Sequence, residues 1–322
     1  MRRISLVTMP FASARRPSLQ LGLLKGMAQR VGWTASTHHF NLDFAALIGL
    51  AKYEFLCQHR GIQLGDWLFT SVAFPDAGLQ GEAAFIDGLP QELLRDMEAA
   101  GFPDASAWLA RTRQEVVPAF LRAAVMSLLR GNPDAVGFTS TFQQNVASFA
   151  LAKELKDVAP RIVTIFGGAN FDSPMGLEWV RSIPAVEVAV IGEGDVAFPA
   201  LLTAIERGEP PQSIPGVAIR SEEGTVQYTP QALPFRELDD SPMPDYDEYF
   251  ERAERLGLLG ETEIRDVDLP IEGSRGCWWG EKQHCIFCGL NGNTMQFRSK
   301  SPARFLEEIT FLMRRHKTFR AE

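Results

Sequence analysis

Four times along the chain a short apolar run ends in a turn, three of these turns being made of small or polar residues, and a helical pattern follows or resumes. The runs are Ile4 to Thr8, Ala135 to Thr139, Arg161 to Phe166 and Val186 to Ile191. Apolar runs of this length between helices read as strands covered on both faces, the pattern of an α/β fold with a parallel sheet. In such a sheet the turns after the strands gather along one edge, where ligands bind. Those turns are Met9-Pro10-Phe11, Ser140-Thr141, Gly167-Gly168 and Gly192-Glu193-Gly194. Glycine there opens backbone angles closed to other residues and lets a bulky ligand approach the main chain, although a βα turn also takes glycine for geometry alone.

The helical patterns have recognisable ends. Ser18 is placed to cap a helix beginning at Leu19, and Gly32 to stop it before a second strand, Thr34 to Phe40. His38 and His39 point to opposite faces of that strand and read as structural histidines. From about 41 to 130 the pattern is helical, an insertion between the second and third strands whose aromatic residues Tyr53, Trp67, Phe69, Phe74 and Trp108 read as core. Helices are expected over Val146 to Val158, Met175 to Ser182 and Val196 to Glu206, with a hairpin of Gly216 to Ile219 and Thr225 to Tyr228 closing the domain. The organisation expected is a first domain over 1–228, a proline-rich acidic linker with solvated carboxylates over 229–260, and a further unit over 261–322. In that last unit, a strand at Ile264 to Glu272 leads into a cysteine loop and then a helix, Ser301 to His316.

The 322 residues are 45% hydrophobic and 22% charged, enough for a sizeable core. A net charge of −8 argues against broad nucleic-acid binding, and no apolar run is long enough for a membrane span. Three of the four cysteines, Cys277, Cys285 and Cys288, stand in SRGCWWGEKQHCIFCGLNG with spacing C-x₇-C-x₂-C. This is no disulfide framework, and a reducing cytoplasm suits it. Cys57 reads as a small buried hydrophobe. Three thiolates on one loop can hold three irons of a 4Fe-4S cluster and leave one iron open to a small molecule such as S-adenosylmethionine (SAM). Zinc would need a fourth ligand, which neither His284 nor His316 is well placed to give. A redox pair at Cys285 and Cys288 would leave Cys277 unexplained.

The cysteine loop, followed by MQFRSK, resembles that of cobalamin-dependent radical SAM enzymes that mature ribosomally synthesised peptides, a group that includes peptide C-methyltransferases. The motifs GFTSTFQQN, FGGANFD, VIGEGD and LDDSPMPDYDEYF stand in the order expected of that family. The resemblance implies a Rossmann-like parallel-sheet cobalamin-binding domain with a helical insertion, followed by the first βα unit of a partial TIM-barrel radical SAM domain, within which the chain is expected to be truncated. It also implies that Cys277, Cys285 and Cys288 ligate the 4Fe-4S cluster, that Phe287 lies beside SAM, and that the corrin sits over the strand ends. The matching positions there are Pro10, Phe11, Thr139, Ser140, Thr141, Gly167, Gly168, Gly192, Glu193 and Gly194, with no histidine expected under cobalt. The implied reaction is radical C-methylation of an unactivated carbon in a precursor peptide. A SAM-derived radical would abstract hydrogen, methylcobalamin would give the methyl group, and a flavodoxin- or ferredoxin-like protein would supply electrons. The alternatives are a non-methylating rearrangement or oxidation with the same cofactors, and a cobalamin-binding or partner-binding module without turnover. No nucleic-acid or membrane partner is expected.

Overall fold

The computed structural model describes residues 1–76, 81–221, 223–230, 233–259, 267–288 and 295–322. Seven strands form one sheet: β1 (Arg3–Thr8), β2 (Thr34–His39), β3 (Ala135–Thr139), β4 (Val163–Gly167), β5 (Val188–Val190), β6 (Val217–Arg220) and β7 (Val226–Tyr228). Their order is β2-β1-β3-β4-β5-β6-β7. The first five run parallel, with Ile4 opposite both Ala35 and Ala135, and the last two are an antiparallel edge. Every residue of β3 is buried, because helices cover both faces of the central strands. The chain moves outward from β1 in both directions, so the strand order reverses between β1 and β3.

One face is covered by α1 (Leu19–Arg30), which starts at Ser18, whose hydroxyl accepts from the Leu21 amide at 3.3 Å. The other face carries the insertion: α2 (Phe40–Ile48), α3 (Leu50–Gln58), α4 (Leu64–Ala73), α5 (Glu82–Asp87), α6 (Gln91–Ala99), α7 (Ala105–Arg111) and α8 (Val117–Arg130). It is joined there by α9 (Asn145–Val158) and α10 (Ser173–Ser182), while α11 (Gly194–Arg207) returns to the side of α1. Two cores result. Leu6, Leu23, Met27, Ile165, Phe198 and Leu202 fill the α1/α11 side. Phe11, Phe44, Tyr53, Phe69 and Phe120 stack into an aromatic cluster on the other, where burial is worth about 1.5–3 kcal/mol for each large side chain. The insertion's aromatics are therefore core, with Trp67, Phe74 and Trp108 half-buried around it.

The acidic stretch after β7 is more ordered than a solvated linker. It forms α12 (Asp247–Arg255), and Tyr246, Tyr249 and Ala253 make a buried stripe at helical spacing. The prolines before it hid that stripe in the sequence. The Tyr249 hydroxyl donates to the Ala14 carbonyl at 2.6 Å, and that of Tyr246 to the Pro270 carbonyl at 2.6 Å. The acids there find specific partners: Lys25 on α1 lies 2.8 Å from Asp245 and 2.9 Å from Glu248, and Asp239 accepts from the Ser301 amide at 2.7 Å.

The strand expected at Ile264 to Glu272 begins outside the described residues. From 267 onward it is extended chain with one parallel bridge, Leu269 to Ala321. The Leu269 amide donates to Arg320 O, and the Ile271 amide to Glu322 O. Among the described residues of this segment, regular pairing before the cysteines is that of β8 (Ser274–Arg275), antiparallel to β9 (Arg298–Ser299). Between them lies α13 (Trp278–Lys282), and α14 (Pro302–His316) follows, with Ser301 as N-cap. No helix among the described residues is long and apolar enough to cross a membrane.

Candidate cofactor-binding site

The strand-end turns enclose a cavity of about 270 Å³ between the sheet and helices α1 and α11. Its walls are mainly apolar, from Leu6, Leu19, Leu23, Leu24, Met27, Phe138 and Phe198, and its rim is Thr139, Gly167, Gly168 and the turn Gly192 to Asp195. Gly168 has φ +101°, and a Cβ there would sit 2.6 Å from the Ser140 carbonyl oxygen, so no other residue fits. Glu272 and Arg275, from the segment leading to the cysteines, close the cavity.

Charge ties that segment to the turn after β5. The Arg275 guanidinium donates to both Asp195 carboxylate oxygens, at 2.6 and 3.1 Å, and to both of Glu272, at 2.8 and 2.9 Å. Glu193 lies 3.6 Å from it. Arg298, across the β8–β9 pair, lies 2.7 Å from Glu193 and donates to the Phe235 carbonyl at 2.6 Å. Burial alone would raise the Glu193 carboxyl, but hydrogen bonds from Arg298 and the Phe235 amide and the charge of Arg275 hold it below the ordinary carboxylate range. Burial would likewise discharge Arg275, and its hydrogen bonds to Glu272 and Asp195 reverse that.

Cys277 caps α13: its Sγ accepts from the Gly280 amide at 3.2 Å, while its own amide donates to Met295 O at 3.1 Å. Gly276 before it has φ +79°, with the Gln296 carbonyl where a Cβ would stand. Cys285 and Cys288 share a turn, the Cys288 amide donating to Cys285 O at 3.0 Å. All three are partly exposed free thiols, whereas Cys57 is buried. Among the described residues no three His, Cys, Asp or Glu side chains converge as a metal-binding group. The donor chemistry of three free thiols on one loop suits iron-sulfur ligation, for which the three side chains would have to be drawn together on binding. Phe287, 89% exposed between two of these cysteines, is open to a ligand on that loop.

Thr139, Gly167, Gly168, Gly192, Glu193 and Gly194 thus meet at one cavity. Ser140 and Thr141 stand behind it. The Ser140 hydroxyl donates to Asn145 Oδ1 at 2.7 Å, and Thr141 bonds Gln144 at 3.0 Å. Pro10 is buried at the β1 turn, and Phe11 belongs to the aromatic core on the other side of the sheet. Sequence reasoning missed Asp195, Phe235, Glu272, Arg275 and Arg298, and the α1 residues of the cavity wall. The available signal was charge: acids inside a glycine turn and an arginine beside a cysteine motif each need a partner when buried.

No protein-family model matches the chain. It is 27% identical over 188 residues to an uncharacterized methyltransferase of Pyrococcus horikoshii, covering 56% of this chain and 37% of that protein. It is 24% identical over 163 residues to an anaerobic magnesium-protoporphyrin IX monomethyl ester cyclase of Synechocystis, covering 50% and 30%. To the cobalamin-dependent radical SAM methyltransferase TokK of Streptomyces tokunonensis it is 28% identical over 201 residues, covering 61% and 28%. Between 28% and 37% of these relatives' own length is thus matched. Among solved structures, the cobalamin-dependent SAM radical enzyme OxsB with aqua-cobalamin and SAM superposes over 98% of this chain and 32% of its own, with TM-score 0.58 and 13% identity. The radical SAM methyltransferase TsrM from Kitasatospora setae, with cobalamin and a [4Fe-4S] cluster, covers 98% and 46%, with TM-score 0.51 and 14% identity. The α/β architecture with its mostly parallel seven-stranded sheet, followed by the cysteine-loop segment, is the fold these cobalamin-dependent radical SAM enzymes share with this chain.

Proposed function

We propose that the chain forms the cofactor-binding part of a cobalamin-dependent radical SAM methyltransferase that C-methylates an unactivated carbon of a ribosomally synthesised precursor peptide. The observation that carries this reading is the buried charge cluster in which Arg275 and Arg298, flanking the cysteine loop, grip the acids of the Gly192–Asp195 turn. It joins a strand-end cavity to a three-thiol loop. At about 270 Å³ the cavity is too small for a whole corrinoid and suits one apolar heterocyclic arm, such as its nucleotide base, with the ring system outside over the strand ends. Cys277, Cys285 and Cys288 would hold the cluster, and Phe287 would pack beside SAM. When bound, these cofactors supply the radical that removes a substrate hydrogen and the methyl group that replaces it. The chain's own residues orient and exclude water: Leu23, Leu24 and Met27 keep the cavity apolar, Gly168 lets the rim turn close against the Ser140 backbone, and Arg275 fixes the loop. Methyl transfer is supported by the relatives that are methyltransferases. The cyclase relative supports a second reading, non-methylating radical chemistry with the same cofactors.

Product mass tests the reading. With candidate precursor peptides encoded beside the gene, SAM, reductant and cobalamin, a gain of one methyl group is expected. A peptide of unchanged mass, or lighter by two hydrogens, would favour the second reading. SAM cleavage with no peptide product at all would remove the peptide from the proposal.

A further inference from the structure

Five charged side chains meet where the cysteine segment touches the α/β domain, and all are largely buried: Asp195 and Arg298 are 6% exposed, and Glu193, Arg275 and Glu272 no more than 17%. Arg275 and Arg298 both reach across, and Arg275 is the one nearer Cys277 in the chain. Through Asp195 it holds the first turn of α11, whose Gly194 and Phe198 line the cavity; through the chain it is separated from Cys277 only by Gly276. Gly276 packs against the Gln296 carbonyl with no room for a side chain, so a shift of Arg275 is carried directly to Cys277. A ligand that presses on the cavity wall therefore moves, or stiffens, the start of the loop.

We propose that Arg275 is a positioning residue that couples the strand-end cavity to the cysteine loop, so that filling the cavity orders the loop for its cluster. This rests on the corrinoid reading of the cavity and adds to it an energetic link between two cofactor sites, which by thermodynamic reciprocity runs in both directions. Its bidentate grip on two carboxylates is a property of guanidinium that lysine cannot reproduce. Loss of that grip would take Arg275 from Asp195 and Glu272 and leave, of this cluster's ion pairs, Arg298 to Glu193 to join the two elements, so their contact would loosen.

The test is hydrogen exchange over residues 274–288 in the iron-free 322-residue chain, with and without hydroxocobalamin, the bound corrinoid being checked by absorbance after desalting. In the unsubstituted protein cobalamin is expected to slow exchange there about threefold or more. In Arg275→Lys, and independently in Asp195→Asn should the first variant fold poorly, exchange is compared at a hydroxocobalamin concentration that saturates the variant by absorbance, and the slowing is expected to be lost. Retained cobalamin with no slowing in the unsubstituted protein, or equal slowing in the variants, overturns the coupling and leaves the cofactor assignment standing. Failure of the unsubstituted protein to retain cobalamin overturns both.

Discussion

Gly168 shows how much of the site depends on a single missing carbon. Its φ of +101° and its contact with the Ser140 backbone leave no room for a methyl group, so Gly168→Ala is expected to cost about 1–3 kcal/mol in stability and to weaken corrinoid retention. Denaturant unfolding reads the first effect and absorbance after desalting the second. A second residue-scale expectation concerns Asp66. Burial raises its carboxyl to about 6, against one opposing hydrogen bond from the Val146 amide. A carboxyl whose folded value lies above its unfolded value stabilises below the unfolded value and loses that contribution as pH rises through about 4 to 6. Asp66→Asn keeps an acceptor for Val146 and removes the charge, so its melting temperature should exceed the parent's near pH 7.5, with the difference shrinking by about pH 4. Equal melting curves at both pH values would show that burial does not raise the Asp66 carboxyl. Cysteine reactivity separates the thiols: in the native, iron-free protein, a thiol reagent is expected to label Cys277, Cys285 and Cys288. Cys57, whose thiol is pushed up by burial, should react only after denaturation.

The elements were legible to different degrees, for physical reasons. Strands buried on both faces and the cap at Ser18 announce themselves locally, so β1, β3, β4 and α1 can be read from composition and spacing. The grouping of Gly167, Gly168 and the Gly192–Gly194 turn at one cavity follows from a parallel sheet, which brings strand ends together whatever the distance along the chain. Phe11 illustrates what local reading cannot give. It follows a strand like the other turn residues, yet the insertion offers it an aromatic core, and it is buried there instead. The segment around α12 was hidden because its partner, Lys25, lies more than two hundred residues away on α1. Burial would lower the lysine, but the hydrogen bonds it donates to Asp245 and Glu248 hold its charge in place. Glu248→Gln is therefore expected to destabilise the protein by about 1–3 kcal/mol and to loosen α12, seen as faster hydrogen exchange over 246–256 with little change in β3. Uniform loss of protection would instead mean that α12 belongs to the global folding unit.

At the scale of the molecule, three neutral histidines set the acid limit. Burial lowers His39 to about 3, and lowers His38 and His316 as well. A histidine with a depressed folded value stabilises above its unfolded value of about 6.5 and loses that contribution as pH falls, by up to about 1.4 kcal/mol per pH unit for each group. The urea midpoint should accordingly drop below about pH 6.5, most cleanly in Asp66→Asn, where the opposing carboxyl is gone. A flat profile there would place these side chains in solvent. The charge cluster of Arg275, Arg298, Glu193, Asp195 and Glu272 gives the molecule its functional shape, since it fixes a three-thiol loop against a strand-end cavity. That one chain holds both cofactors is the central claim, and simultaneous metal and corrinoid analysis tests it most directly. After anaerobic reconstitution with iron, sulfide and hydroxocobalamin, one corrinoid and about four irons per chain are expected, with Cys277→Ala losing iron and retaining corrinoid. Zinc in place of iron, or a desalted protein without corrinoid, would contradict it.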